Sequence, residues 1–201
     1  MNQISNADRY SLLFSELQQT VTDTEKRITA DPPETYVVNH VNFLTKSFLI
    51  SLCCYLESFL KEIANEHVTN ARRRILSAQV PHNLLVWSLN REVKERDLRS
   101  SFFDLPVTKK DIDDELSGNP FRTAKYFRFL GIDLESVAEF TANKDLVNMV
   151  VAKRNNIIHH NDSATDISLG DIRTYSGHFN IYVKAIANAV QYVELPDQAS
   201  R

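Results

Sequence analysis

From Glu34 to Arg74 the chain contains neither proline nor glycine, and it places Phe48, Leu49, Leu52, Leu56, Phe59, Leu60 and Ile63 at spacings of three and four. With no residue to break it, such a stretch can run as one helix, and that spacing gathers the apolar side chains on one broad side. The pattern predicts a single long helix, apolar around much of its girth near residues 48–60 and therefore central in a bundle. Four glycines and six prolines in 201 residues are too few for the repeated tight turns of a β-sandwich. The expected fold class is all-α.

Other segments read in the same way. Tyr10, Leu13, Phe14, Leu17, Val21 and Ile28 predict a helix over 8–29, stopped by Pro32-Pro33. Pro81 precedes a predicted helix over 82–100. Asn119-Pro120 is a helix start and Gly131 its stop. Asn143 is expected to cap a helix over 144–160, closed by Asn161-Asp162. Ser168 and Asp171 resemble a capping box that opens a last helix ending near Val193. That helix carries the stripe Ile172, Tyr175, Phe179, Tyr182, Val183, Ile186 and Val190. No period of 20–50 residues recurs, which excludes solenoid repeats. Residues 1–201 are thus expected to form one domain, an up-and-down helical bundle with 76–142 as an insert of short helices. Within that insert, Lys109-Lys110 followed by Asp111, Asp113, Asp114 and Glu115 reads as a surface turn.

Composition narrows the function. A net charge of −3 argues against gripping nucleic acid by bulk electrostatics, so any such contact must be local. The N-terminus lacks a basic region followed by an apolar core, and the apolar run Phe48–Leu56 ends at Glu57, too short to span a bilayer. A cytoplasmic location without membrane contact is expected. Cys53 and Cys54 are adjacent on the long helix, where neighbouring side chains diverge, so buried reduced thiols are expected rather than a disulfide. The chain has no glycine-rich phosphate loop, no nucleophile elbow, no spaced cysteine pairs and no calcium-loop spacing, and neither metal nor cofactor is expected.

One position breaks the helical pattern. Val147, Val150, Val151, Ile157 and Ile158 form a stripe on the helix over 144–160, and Arg154 falls inside it. A guanidinium on a core-facing stripe costs several kcal/mol to desolvate unless it meets an anion. Glu57, the lone charge between Phe48 and Leu60, is the expected partner. His159 lies five positions after Arg154, about 140° around the helix, and four after Asn155. Two such helices across a two-fold axis would gather two Arg and two His around one cleft. Spacing alone does not carry this reading, because Arg173 and His178 repeat it on the last helix, with Arg173 on the expected solvated face.

Arg154-Asn155-x-x-x-His159, together with Cys53-Cys54-Tyr55-Leu56-Glu57-Ser58-Phe59-Leu60 on the earlier long helix, resembles the HEPN superfamily of α-helical domains over residues 40–70 and 144–192. The resemblance implies a metal-independent endoribonuclease site at a homodimer interface, in a toxin or phage-defence effector with a neutralising or regulatory protein partner. It implies that Arg154 binds the scissile phosphate, that Asn155 orients the phosphate or His159, and that His159 serves as general acid/base. Glu57 would be an orienting partner, and His160 could stand in for His159. Lys153, Arg72, Arg73 and Arg74 are candidate RNA-backbone contacts. Some superfamily toxins carry a Tyr two residues after the His, modified by a nucleotidyltransferase antitoxin. Asn161 stands there, which argues against that form of control. The other reading is a catalytically silent HEPN-like adaptor or partner-binding module.

Overall fold

A computed structural model describes residues 5–160 and 165–194. Among the described residues every regular element is helical: α1 (Asn6–Ile28), α2 (Thr35–Ser77), α3 (His82–Leu89), α4 (Lys109–Glu115), α5 (Pro120–Phe129), α6 (Ala138–His160) and α7 (Leu169–Glu194), with short 3-10 turns at 95–97 and 134–136. The all-α expectation holds.

The long helix extends further than its pattern requires, through 43 residues, because neither end meets a breaker until Pro33 and Pro81. Leu49, Leu52, Leu56, Phe59 and Leu60 are all fully buried. Its packing partners are α1, α6 and α7, and α7 lies against all three others. By length and composition alone α2 could cross a membrane. Its apolar residues from Leu49 to Val68 instead form the middle of the core. Aromatic rings tie the helices edge to face, Tyr10 on Phe59 and Phe14 on Phe179, the geometry that ring quadrupoles favour.

Local signals set most helix ends. Asn119 Oδ1 accepts from the backbone N–H groups of Phe121 and Arg122, with Pro120 in the first turn. Gly131 ends that unit at φ +82°, a backbone conformation costly to other residues. Ser168 and Asp171 form the expected reciprocal cap, each side chain accepting from the other's backbone N–H.

Four expectations need correction. The helix after Pro81 stops at Leu89, eleven residues early, since no apolar face continues into the charged run from Arg91 to Arg99. The Lys109-Lys110 segment is a helix, α4, because Thr108 and Asp111 make a capping box. The helix expected from Lys144 begins at Ala138. Asn143 is therefore buried inside α6, with Nδ2 donating to the Glu139 carbonyl and Oδ1 hydrogen-bonded to His178 Nδ1 at 2.7 Å. Ile158 is half exposed instead of joining the buried stripe. The expected stop at Asn161-Asp162 lies outside the described residues.

Of the segment between α2 and α6, its second half joins the core: Ile112, Phe127 and Leu134 are fully buried. Its first half does not, and no residue from 69 to 111 is buried.

On α7, the Tyr182 ring stacks on Phe140 with centroids 4.8 Å apart, but its buried hydroxyl has no partner among the described residues. An unsatisfied buried hydroxyl costs roughly 1–3 kcal/mol. Tyr182→Phe is accordingly expected to leave the fold unchanged and stabilise it by about 1 kcal/mol, read as a higher midpoint in urea.

Candidate functional site: a mostly buried arginine and its carboxylate

The site is built where α6 crosses the middle of α2. Val147, Val150, Val151 and Ile157 press α6 into the core, and this holds Arg154 against α2 with only 12% of its side chain exposed. Its Nη2 lies 2.5 Å from Glu57 Oε1, and Glu57 is 28% exposed. The expected partner is therefore the actual one. Arg154 Nη1 donates to Asn155 Oδ1 at 3.0 Å, while Nε is buried with no hydrogen-bond partner among the described residues. The guanidinium is thus fixed on two sides, and its unpartnered Nε is closed to solvent.

A third element closes over the pair. The loop before α5 brings Gly118 down onto Glu57, so that its backbone N–H donates to Glu57 Oε1 at 3.4 Å. A Cβ at position 118 would stand 3.1 Å from Val151 Cγ2 and 3.4 Å from Glu57 Oε1, so any side chain there would press on both. Asn119 Nδ2 reaches across to Asn148 Oδ1 on α6 at 3.3 Å. Sequence reasoning treats Ser117-Gly118-Asn119-Pro120 as a turn signal only. A turn residue carries no mark of the distant carboxylate that it will cover.

Cys53 lies one turn before Glu57 on α2. Burial pushes its thiol up to about 12, with the charge of Arg154 pulling the other way, so it stays protonated. Cys54 is exposed, against the expectation of two buried thiols. Adjacent residues on a helix point about 100° apart, and Cys54 turns away from the side that buries Cys53.

His159 and His160 are exposed at the end of α6. Around the helix, Asn155 falls between Arg154 and His159, which are about 140° apart. His159 continues an exposed stripe of Ala142, Asp145, Met149, Ala152 and Asn156, at alternating spacings of three and four. Within one chain, then, Arg154 faces α2 and His159 faces outward. Lys153 is held by Asp166 at 2.8 Å, and this bond depresses the Asp166 carboxyl below its ordinary range. Arg72 forms a two-pronged pair with Asp104, while Arg73 and Arg74 are exposed. The second Arg/His pair is occupied elsewhere: Arg173 binds Glu25 at 2.7 Å and His178 binds Asn143. Asn161 lies outside the described residues. No group of three or more His, Cys, Asp or Glu suited to a metal occurs among the described residues.

The two Arg–Glu pairs should respond differently to loss of the carboxylate. Glu57→Ala strands a mostly buried cation and is expected to cost on the order of 2–3 kcal/mol in urea unfolding. Glu25→Ala releases a pair whose Arg173 is 46% exposed and should cost less than about 1 kcal/mol.

No curated protein and no solved structure matches this chain. A family model described as RiboL-PSP-HEPN matches residues 8–192, nearly the whole length and all of the elements that build the site. The chain belongs to the RiboL-PSP-HEPN family, a HEPN-type helical domain.

Proposed function

We propose that this protein is a metal-independent endoribonuclease that works as a homodimer. The observation that carries the reading is Arg154: an always-charged group held mostly buried by Glu57, oriented by Asn155, five positions from an exposed His159. A HEPN-type family supports an RNA-related role, and the residues refine it.

In this reading Arg154 binds the scissile phosphate through the part of its side chain that stays exposed. A guanidinium suits the task because it keeps its charge and its planar donors at every physiological pH. The 2'-hydroxyl of the nucleotide on the 5' side attacks the phosphorus, a P–O bond forms, and its proton passes to a base. The bond to the 5'-oxygen of the next nucleotide breaks, and that oxygen takes a proton. The products are a 2',3'-cyclic phosphate and a 5'-hydroxyl. His159 handles these protons, since imidazole titrates near neutral pH. Asn155 holds the guanidinium in place, and His160 is a weaker candidate for the same duty as His159. The need for a 2'-hydroxyl makes RNA the substrate.

The geometry within one chain supports dimerisation. Arg154 and His159 point in different directions, so a second copy is needed to complete the cleft. The exposed α6 stripe, with Met149 half exposed beside Ala142 and Ala152, supports close packing of two α6 helices near His159. A toxin or phage-defence role, held in check by a protein partner, fits a nuclease that must be restrained, and a cytoplasmic location fits RNA as its substrate.

One observation favours a second reading. Glu57 and Asn155 already satisfy part of Arg154, as in a silent adaptor whose arginine is purely structural. Total RNA incubated with the protein in EDTA separates the two. Cleavage leaving 2',3'-cyclic phosphate ends is expected, with His159→Ala and Arg154→Ala each lowering the rate by at least about 10²-fold. Undiminished cleavage by both variants, or none by the wild type, would contradict the nuclease reading.

A further inference from the structure

The stretch from Arg72 to Phe103 leaves the bundle and contributes nothing to its core. It nevertheless holds Leu76, Leu84, Trp87, Leu89, Leu98 and Phe102, each more than two-fifths exposed. Its base is closed. Arg72 pairs with Asp104, Phe103 N–H donates to the Val80 carbonyl at 2.7 Å, and His82 N–H donates to the Ser101 carbonyl at 3.0 Å. Pro81 and Phe102 form an antiparallel bridge. Farther out, Arg99 N–H donates to Asn83 Oδ1 at 2.7 Å. The arm is therefore a preorganised loop, not a loose tail.

Charge is segregated onto it. Residues 72–104 carry seven Lys and Arg against four Asp and Glu, in a chain whose net charge is −3. Asp104 is already engaged by Arg72, and Asp97 lies 3.9 Å from Arg96. Arg74, Arg91, Lys94 and Arg99 make no ion pair among the described residues. The Arg91 guanidinium lies 4.1 Å from the centroid of the Trp87 ring, whose side chain remains half exposed. Exposed aromatic rings interleaved with unpaired guanidinium groups are what single-stranded nucleic acid uses for stacking and phosphate contact.

We propose that residues 72–103 form a grip for single-stranded RNA, distinct from the cleavage residues and set beside them. The choice of RNA rests on the nuclease reading above and on the excess of unpaired cations. A protein partner would use the apolar residues but would leave that excess without a purpose. The arm is joined to the site at both of its ends. Arg72 follows Glu57 by fifteen residues on α2, about 22 Å at ~1.5 Å per residue. The return strand leads through α4 to Gly118, which touches Glu57. A strand of several nucleotides spans that distance and can lie across both.

The test uses the full chain carrying His159→Ala and a fluorescein-labelled oligouridylate, with anisotropy followed over a range of salt concentrations. Arg91→Ala with Arg99→Ala is expected to weaken binding about tenfold and to flatten the salt dependence by roughly one counterion or more. Trp87→Ala with Phe102→Ala is expected to weaken it by about tenfold at every salt concentration. None of these side chains is buried, so unchanged circular dichroism and melting should accompany the loss. Unchanged RNA affinity in both pairs overturns the proposal, including the case in which they alter only the protein's assembly in light scattering. If the oligonucleotide binds through the arm but the wild type never cleaves RNA, the arm stands and the nuclease reading falls. If the wild type cleaves and the arm variants leave KM unchanged, the arm falls alone.

Discussion

Arg154 and Glu57 meet at the crossing of α6 on α2, and the energetics of that pair shape everything around it. Taking both charges out of water costs several kcal/mol for each ion, which their attraction offsets only when the remaining donors and acceptors are also met. The chain meets them in part: Glu57 also accepts from Gly118, and Arg154 donates to Asn155. Arg154 Nε remains buried without a partner among the described residues. A pair kept purely for stability would be poorly chosen, because apolar residues of similar volume would fill the same space at no desolvation cost.

The segment between α2 and α6 divides in two. Its second half returns to the core, where Phe127 and Leu134 are buried, and the same return carries Gly118 onto Glu57. Its first half does not return. Freed from the core, it can carry exposed aromatic and basic residues that would destabilise a packed element. One part of the segment thus fixes the carboxylate, while the other stays outside the core.

Much of this was legible in the residues. Unbroken apolar spacing revealed α2, and the polar exception in a buried stripe revealed Arg154, because both follow from side-chain periodicity along a single helix. Glu57 was legible as the one charge on the most apolar part of α2. What sequence periodicity misses is contact between segments. Asn143 reads as a cap because caps are common uses of Asn, yet its position inside α6 follows from His178 on another helix. Sequence pattern overextends the helix over 82–100 because the charged run after Leu89 has good helix formers but no surface to pack on. It puts Cys54 inside with Cys53 because the neighbours of both are apolar, yet Cys54 turns to solvent. Gly118 gave no signal of the carboxylate it would touch 61 residues away.

In the proposed reading, the Arg154–Glu57 pair is retained for chemistry at some expense of stability. The most direct measurement is the double variant Glu57→Leu with Arg154→Met, compared with the wild type in urea unfolding and in RNA cleavage with EDTA present. A protein as stable as the wild type or more so, by up to about 4 kcal/mol, and devoid of cleavage is the predicted result. A folded double variant that cleaves RNA at the wild-type rate, or one that loses several kcal/mol of stability, would contradict the account.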